Sequence, residues 1–329
     1  MTTLVIGATG FIGSAIVRQL LDDGVEVRAT VRQSSDTRNL DGLDVERVPG
    51  DIRDEASIRT ALDGCDTMYL AAAHFSHWAP DPSQFYEVNV VGTRTALRAA
   101  LGSDVSRVVY TSTNNAVGAY GATPSDEEAI FNYWSTGDHY SISKFLAEIE
   151  AFKMGARGLP VVVVNPTLVI GTNDRRPTSS GQMVIDVASG KMPAYTEGWV
   201  NVIDVEDVAR GHILAASRGT VGERYLLGNE NLTVRQYFTL IAEAAGIDAP
   251  RLKAPYAAAL SLAHVYEWAS RFTKKHPVVT ASEVKIGRLG ETYDCSKAVH
   301  ELGLPQTPVR ESIERAVAWF GDHGYLAGR

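Results

Sequence analysis

The chain has 329 residues, of which 45% are hydrophobic, and its formal net charge is −8. This length and composition allow a sizeable core in one large α/β unit, with or without a smaller lobe. The acidic balance and the lack of a basic run argue against a nucleic-acid partner. Cys65 and Cys295 are too few for a disulfide framework, and their spacing does not suit a metal site, which favours a reducing, cytoplasmic location.

No secretion signal is evident, and no apolar stretch reaches the roughly 20 residues of a membrane span, so we expect neither. The most apolar helical segment, Ala257–Phe272, is interrupted by Ser261, His264 and Glu267. We interpret it as an amphipathic packing helix, with a role at a membrane surface as the lesser alternative.

The first half of the sequence alternates strand-like and helix-like segments. The predicted strands are Leu4–Ile6, Val25–Val31, Val45–Val48, Thr67–Ala72, Val105–Thr111 and Pro160–Asn165. The predicted helices are Phe11–Asp22, Ser57–Leu62, Phe85–Leu101 and Tyr140–Ala156. Repeated βα units predict a parallel sheet with helices on both faces, and four consecutive valines at 161–164 are typical of a strand buried on both sides.

Beyond residue 166 this alternation weakens and helical periodicity dominates. We therefore predict an α/β protein with a Rossmann-type doubly wound parallel sheet over residues 1–166, to which 199–228 return. Residues 167–198 and 229–329 are predicted to form a smaller, mostly helical substrate-binding lobe.

A glycine-rich loop follows the first predicted strand and opens the first helix. Glycines there permit a tight turn and a close approach to a pyrophosphate, which the free N–H groups of the helix start can bind. The loop departs from the G-x-G-x-x-G fingerprint because Ala8 takes one glycine position, and the alternative is a turn that uses glycine for geometry alone. The residues predicted to bind the cofactor here are Gly7, Thr9, Gly10, Phe11, Ile12 and Gly13.

The end of the second strand distinguishes NAD from NADP. An acidic residue there would bind the ribose 2′-hydroxyl, but no acid occurs before Asp36. Arg32 stands where a guanidinium can pair with a 2′-phosphate, assisted by Arg38, which favours NADP(H) over NAD(H). The alternative is that Arg32 is a solvated loop residue. Further cofactor contacts are predicted at Asp51, Ile52, Ala71, Ala72 and Ala73.

Tyr140 and Lys144 lie four residues apart, on one face of a predicted helix. Reduction of a ketone needs a hydride at carbon and a proton at oxygen, and a phenol has an ordinary pKa of about 10. A neighbouring ammonium lowers that pKa, so the pair suits proton transfer. The spacing alone could mark a solvated helix face. The preceding strand favours catalysis because it ends in three hydroxyl residues, at the sheet edge where ligands bind and a hydroxyl can hold the substrate oxygen.

These motifs occur together and in order along essentially the whole chain, and they resemble the extended short-chain dehydrogenase/reductases, the NAD-dependent epimerase/dehydratase group. Arg32 looks like the NADP-binding arginine of the dihydroflavonol 4-reductase branch. Stretches such as 78–82, 191–195 and 222–225 are similar to hopanoid-associated sugar epimerases, whose label rests on pathway association. Val164-Asn165-Pro166 is the reductase-like version of its motif, whereas nucleotide-sugar epimerases read Arg-Tyr-Phe-Asn.

The resemblance implies that the third catalytic residue is Thr113, beside Tyr140 and Lys144, with Ser112 as its neighbour. It extends the cofactor-binding set to Thr111, Tyr140, Lys144, Asn165, Pro166 and Val169. It also suggests a homodimer formed through the helices 85–101 and 140–156.

Aromatic and polar residues in the loops beyond the strand ends suggest an apolar, cyclic or aromatic carbonyl substrate. The residues predicted to contact it are His74, Trp78, Asn114, Trp134 and Tyr195, with core packing as the alternative role of each. His74 and His77 have the spacing of a metal pair, but no further ligands accompany them, so no metal is expected.

Three functions remain open from the sequence. The first is an NADPH-dependent ketone reductase in which Tyr140 is the acid or base. The second is an epimerase or dehydratase that acts on a nucleotide sugar with a tightly held cofactor. The third is a sensor that binds NADP(H) without turnover, which the intact Thr113, Tyr140 and Lys144 set argues against.

Overall fold

The computed structural model describes residues 2–273 and 277–326. The strands are β1 (Thr2–Ile6), β2 (Glu26–Val31), β3 (Glu46–Pro49), β4 (Cys65–Leu70), β5 (Arg107–Thr111), β6 (Gly121–Ser125), β7 (Val161–Pro166), β8 (Leu168–Ile170), β9 (Ala194–Tyr195), β10 (Trp199–Asp204), β11 (Arg224–Leu227), β12 (Glu230–Thr233), β13 (Leu252–Lys253) and β14 (Glu291–Tyr293). The helices are α1 (Phe11–Asp22), α2 (Glu55–Leu62), α3 (Ser83–Phe85), α4 (Thr93–Leu101), α5 (His139–Gly155), α6 (Ser179–Ala188), α7 (Val205–Arg218), α8 (Val234–Ala245), α9 (Tyr256–Thr273), α10 (Ala281–Leu289) and α11 (Val309–Asp322).

Seven parallel strands form the largest sheet, in the order β11-β7-β5-β4-β1-β2-β3. The strand order reverses between β1 and β4, and ligands of such sheets bind in the crevice at the carboxyl ends of the strands at this point. The predicted Rossmann-type α/β fold is confirmed. The glycine loop follows β1, and Ala71–Ala73 follow β4, so both border this crevice.

Helices cover both faces of the sheet, which explains why β7 is buried along its whole length. Ile16 of α1 and Val208 of α7 pack on one face, and Leu97 of α4 and Ala147 of α5 pack on the other. Burying a side chain such as that of Ile16 contributes about 1.5–3 kcal/mol, so these two apolar layers hold the strand ends in place.

The segment 199–228 divides between two sheets. β11 joins the edge of the large sheet beside β7, whereas β10 pairs with β8 and β12 in a separate three-stranded sheet. Together with α6, α8 and α11 this small sheet forms a third apolar core. The sequence predicted a mostly helical lobe because strands as short as β8 give little periodic signal. The boundaries of the two domains stay a prediction.

The helix predicted over Phe85–Leu101 is interrupted by a wider, π-helical turn at Tyr86–Gly92, between α3 and α4. The turn carries Asn89, which is buried; its Oδ1 accepts the His74 N–H at 2.7 Å, and its Nδ2 donates to Ser143 Oγ at 2.9 Å. Asn89 thereby ties the chain after β4 to the catalytic helix. Among the described residues, no helix is both long and apolar enough to cross a membrane.

Candidate active site

The glycine loop turns tightly against the end of β4. Gly7 has φ +88°, and a Cβ on it would lie 2.6 Å from the Ala72 backbone nitrogen. A Cβ on Gly13 would overlap the Gly7 carbonyl oxygen, while the Gly10 N–H donates to that oxygen at 3.0 Å. Glycine is therefore required at these positions by geometry, and the loop leaves its backbone open to a ligand.

The first helix begins without a side-chain cap. Gly10 is the N-cap residue of α1, and no side chain accepts from the first amides, which include those of Phe11 and Ile12. Uncapped amides at the positive end of a helix suit a phosphate group. The cradle around Gly7 and the amides of α1 therefore fit the pyrophosphate of a dinucleotide. The Thr9 carbonyl accepts a hydrogen bond from Asn39 Nδ2 at 3.2 Å, which holds the loop to the segment after β2.

Arg32 follows β2, is exposed, and its guanidinium forms no hydrogen bond or ion pair with the residues that the structure describes. Arg38, by contrast, is held by Asp36 at 2.6 Å, and this ion pair lowers the pKa of Asp36 to about 2. Asp36, the first acid after the end of β2, is thus paired, while the guanidinium of Arg32 is available to bind an anion. Asp51 is paired with Arg53 at 2.7 Å.

Thr111, the last residue of β5, and Thr113, two residues beyond it, make different hydrogen bonds. The His212 Nδ1 hydrogen bond to the Val208 carbonyl makes Nε2 the acceptor, so the Thr111 hydroxyl donates to Nε2 at 2.8 Å. Burial lowers the pKa of His212 to about 4, which keeps it neutral. Thr113 Oγ1 accepts the Asn115 N–H at 3.3 Å and donates to Asn114 Oδ1 at 3.1 Å. Of these two threonines, it is Thr113 that interacts with Tyr140.

Tyr140 lies in the first turn of α5, where its side chain is buried, with 6% of its surface exposed. Burial raises its pKa above 10, and a hydrogen bond with Thr113 opposes that rise. The direction is opposite to the one the Tyr–Lys spacing predicts, because burial disfavours the phenolate and the negative charge of Asp138 adds to that effect. The phenol stays protonated at neutral pH, which is the form that can donate a proton.

Lys144, one turn further along α5, is fully enclosed. Its Nζ donates to Tyr110 OH at 3.0 Å and to the Thr111 carbonyl at 2.8 Å. Burial lowers its pKa to about 7, with Glu148 acting in the opposite direction. An ammonium has three donors, so one remains for a further acceptor in the crevice.

An ion pair that the sequence did not predict lies against Tyr140. His77 Nδ1 is 3.2 Å from Asp138 Oδ1, and the imidazole packs edge-on against the Tyr140 ring at 5.7 Å. Burial disfavours the charged imidazole, but the charge and hydrogen bond of Asp138 outweigh burial and raise the pKa of His77 to about 9. Phe75 packs edge-on against Tyr140 as well, at 4.9 Å. Tyr140 therefore lies between an aromatic ring, Phe75, and the imidazole of an ion pair.

Asp138 is also the N-cap of α5, because its Oδ2 accepts from Ser141 N at 2.8 Å and from Ser141 Oγ at 2.5 Å. An Asp two residues before Tyr140 is a sequence signal for a helix start, and it could have located this residue. No comparable signal pairs it with His77, because the two lie 61 positions apart.

A polar cluster from the C-terminal part of the chain borders the same pocket. The Glu291 carboxylate accepts from Asn114 Nδ2 at 3.1 Å and from Tyr133 OH at 2.9 Å, and Tyr293 OH lies 3.1 Å from Tyr133 OH. Burial raises the pKa of Glu291. The sequence analysis missed Glu291 and Tyr293, which become neighbours of Asn114 only when β14 pairs with β6.

Asn165 is the penultimate residue of β7 and links the site to the sheet edge. Its Nδ2 donates to the Thr113 carbonyl at 2.9 Å and to Glu148 at 2.7 Å, and Glu148 pairs with Arg224 of β11 at 2.9 Å. The Asn165 Oδ1 is buried without a partner among the described residues, and Pro166 follows it. Val169 is buried in β8.

The predicted substrate residues are not all near one another. Asn114 lies beside Thr113, and His74 packs edge-on against Phe85 at 4.8 Å, with its buried Nε2 left without a partner among the described residues. Trp134 is 54% exposed and packs on Phe131 at 4.9 Å. The Trp78 N–H donates to Ser76 Oγ in a turn, and Tyr195 packs against the third core. Their roles stay predictions. The described residues contain no cluster that could hold a metal ion.

Comparison with known proteins agrees with this geometry. A model of the NAD dependent epimerase/dehydratase family matches residues 3–228. A Synechocystis sp. protein named as a candidate dihydroflavonol 4-reductase is 38% identical, over 98% of this chain and 95% of the relative. Sterol demethylase protein B of Methylococcus capsulatus is 37% identical, over 99% of this chain and 100% of the relative.

Among solved structures, that of gox2253 superposes with a TM-score of 0.88 at 37% identity, covering 98% of this chain and 99% of that one. The family model spans both the glycine loop and the Tyr140–Lys144 helix, and these relatives match over nearly their whole length. The chain therefore belongs to the NAD-dependent epimerase/dehydratase family, the extended short-chain dehydrogenase/reductases, and is an NAD(P)-dependent oxidoreductase of that type.

Proposed function

We propose that this protein is an NADPH-dependent reductase that transfers a hydride between the nicotinamide and a carbonyl or secondary alcohol of a fairly apolar, cyclic or aromatic substrate. The observation that carries the proposal is the position of Tyr140. It is buried, interacts with Thr113 and lies one turn from Lys144, beside the crevice that the glycine loop borders.

The bound dinucleotide would supply or accept the hydride. Tyr140 donates the proton to the carbonyl oxygen, and its raised pKa keeps that proton in place until the oxygen becomes basic. The Thr113 hydroxyl, released from Asn114 Oδ1, donates a second hydrogen bond to the same oxygen and stabilises its developing charge. The remaining donor of Lys144 would be available to hold the nicotinamide ribose.

The preference for NADPH rests on Arg32. Its exposed guanidinium has no partner among the described residues, and Asp36, the first acid after β2, is neutralised by Arg38. A guanidinium pairs with a phosphate through two parallel hydrogen bonds, which a 2′-hydroxyl cannot match. The same proposal includes the remaining predicted cofactor contacts, which are Asp51, Ile52, Ala71, Ala72, Ala73, Asn165, Pro166 and Val169.

The substrate class rests on the walls of the pocket. Phe75 packs on the catalytic ring and is 43% exposed, so it offers an apolar surface next to the reacting carbonyl. Asn114 and the His77 cation supply the polar contacts that orient a substrate in such a pocket. The name of the Synechocystis relative, which refers to a reductase, supports the same chemistry.

We include a homodimer in the proposal. Val91 and Leu101, on the segment from the π-helical turn to the end of α4, are 46% and 36% exposed. Apolar side chains on the outside of this segment suit a twofold contact with a second copy. Light scattering of the purified protein would measure twice the mass of the chain if the proposal is right.

A carbonyl-substrate screen tests the reaction. Purified protein is mixed with NADPH and a panel of cyclic and aromatic ketones. The absorbance of the reduced nicotinamide is recorded over time and at equilibrium. A reductase consumes NADPH in proportion to ketone. An epimerase or dehydratase would instead retain its nucleotide through purification, leave added NADPH unchanged and convert a nucleotide sugar. Binding of NADPH without turnover on either panel would indicate a sensor.

A further inference from the structure

The outward face of α9 is apolar. Ala258, Leu262, Val265, Trp268 and Phe272, which we call the α9 face, recur every three or four residues and so share one side of the helix. All five are exposed, by 49% for Leu262, 59% for Val265, 62% for Trp268 and 71% for Phe272. A helix on the surface of a water-soluble domain normally turns polar residues outward.

The inward side of α9 is equally informative. Ala263 and Ser270 are buried, and Ala259 and Leu260 pack against α10, whose start is held by the Ala281 N–H donating to Glu267 Oε1 at 2.8 Å. The helix therefore packs on the protein with one side, and the α9 face is the opposite side, which is exposed. At 1.5 Å per residue, the face extends for about 21 Å along the helix.

The sequence around α9 is basic. Residues 251–288 contain seven Lys and Arg and two Glu, a formal net charge of +5, in a chain whose net charge is −8. The basic residues stand both before and after the helix in the sequence, at Arg251, Lys253, Arg271, Lys274, Lys275, Lys285 and Arg288. An apolar, aromatic stripe beside a surplus of Lys and Arg is the composition of helices that lie in the interface of an anionic membrane.

The charge also argues against the other candidate occupant, a second copy of the chain. A twofold interface brings the same patch of both copies together, so two basic segments would face each other, although Arg251 and Lys253 are each paired with an acid outside the segment, Asp248 and Glu197. Like charges at that contact repel. An anionic lipid surface both covers the apolar side chains and neutralises the basic residues. We propose that the α9 face docks the protein onto anionic phospholipid membranes, with α9 lying in the plane of the interface.

The position of α9 relates this surface to the catalytic site without depending on the proposed function. α10 lies between α9 and the Tyr133–Thr136 turn, and Lys285 Nζ donates to the Thr136 carbonyl at 3.5 Å. That turn immediately precedes the catalytic helix α5. Docking would therefore leave only α10 between the docked helix and the turn that precedes α5.

Flotation with lipid vesicles tests the proposal on the full chain. We expect the protein to float with vesicles that contain 30% phosphatidylglycerol, at least tenfold more than with pure phosphatidylcholine, and to be released by 0.5 M NaCl. A Trp268→Ser/Phe272→Ser variant should lose at least tenfold in binding. The matched control is Ile130→Ser/Val221→Ser, which removes two exposed apolar side chains elsewhere and should bind like the wild type.

A spectroscopic measurement locates the contact. The tryptophan emission should shift to shorter wavelength when anionic vesicles are added, and Trp268→Phe should lose that shift while still floating. Three outcomes would overturn the proposal: no binding to anionic vesicles, equal binding to neutral ones, or equal loss in both double variants. If the Trp268→Ser/Phe272→Ser change instead abolishes self-association and vesicles bind nothing, the occupant is a second copy and the membrane is excluded. Thermal melts show that each variant is folded.

Discussion

Asp138 binds His77 with one carboxylate oxygen, at 3.2 Å, and caps the catalytic helix with the other. One residue thus fixes both the start of the helix that carries Tyr140 and the imidazole that packs on the Tyr140 ring. The Asp138 charge, which His77 pairs with, raises the cost of forming a phenolate at Tyr140. Glu283 and Glu291 face the same imidazole and add to its preference for the charged form.

This pair makes the stability of the protein depend on pH. The pKa of His77 is raised from 6.5 to about 9, so the folded state binds more protons than the unfolded state between these values. The stabilisation is fully present below pH 6.5 and is lost as the pH rises through about 9, and it amounts to about 3 kcal/mol at most. We expect the difference in free energy of unfolding between wild type and His77→Asn to shrink across this window, measured by urea unfolding at pH 6, 7.5 and 9.5.

His264→Asn is the control, since His264 is an exposed histidine that lies 3.5 Å from Glu267 on α9. Its stability should follow the wild type at all three pH values. A constant gap between wild type and His77→Asn from pH 6 to pH 9.5 would contradict the assignment of the raised pKa to His77.

Replacing the catalytic phenol should abolish turnover without removing cofactor binding. Tyr140→Phe keeps the ring contacts with Phe75 and His77 but removes the proton donor, so we expect kcat to fall by about 10²- to 10⁴-fold. NADPH affinity, measured by fluorescence titration, should change little. Tyr120→Phe, at an exposed tyrosine that donates to the Ile130 carbonyl, should keep wild-type turnover. Wild-type turnover in Tyr140→Phe would remove Tyr140 from the mechanism.

Cofactor choice should depend on Arg32. Loss of a charge-assisted hydrogen bond costs about 1.5–3 kcal/mol, so Arg32→Ala should raise the KM for NADPH by about 10- to 100-fold and leave the KM for NADH within about twofold. Arg38→Ala serves as a comparison, because its guanidinium already pairs with Asp36, and its effect should be smaller. Equal weakening of NADPH and NADH by Arg32→Ala would show that the 2′-phosphate is bound elsewhere.

The glycine loop should tolerate no side chain at Gly13. A methyl group there overlaps the Gly7 carbonyl, which must move and displace the turn against Ala72. We expect Gly13→Ala to lose nucleotide binding at least 100-fold in titration calorimetry. Gly287→Ala places the same methyl group in open space on α10 and should bind nucleotide normally and be stabilised slightly. Normal binding by Gly13→Ala would refute the cradle.

Local sequence patterns predict the parts of the site that lie close together in the chain. The order of β1, the glycine loop and α1 is visible because the turn, its glycines and the helix are consecutive. Tyr140 and Lys144 are visible for the same reason. The π-helical turn at Tyr86–Gly92 is not, because its apolar spacing differs little from that of an ordinary helix.

Contacts between remote segments could not be predicted. Pairing of His77 with Asp138, and of Asn114 with Glu291, depends on how loops and strands meet after folding. The direction in which the Tyr140 pKa shifts could not be predicted from the sequence either, because it depends on burial. How far a side chain is shielded from water is a property of the packed structure.

The pairing of Asn114 with Glu291 joins positions 177 apart, through the contact of β6 with β14. Such contacts close long loops and form late, because the chain entropy must be lost before they stabilise anything. The large sheet and both of its helical layers can assemble while the amide of Asn114 is still unanchored. During refolding, we therefore expect helical ellipticity to recover first and catalytic turnover to recover later. The enzyme would then pass through an intermediate that has its secondary structure but no activity.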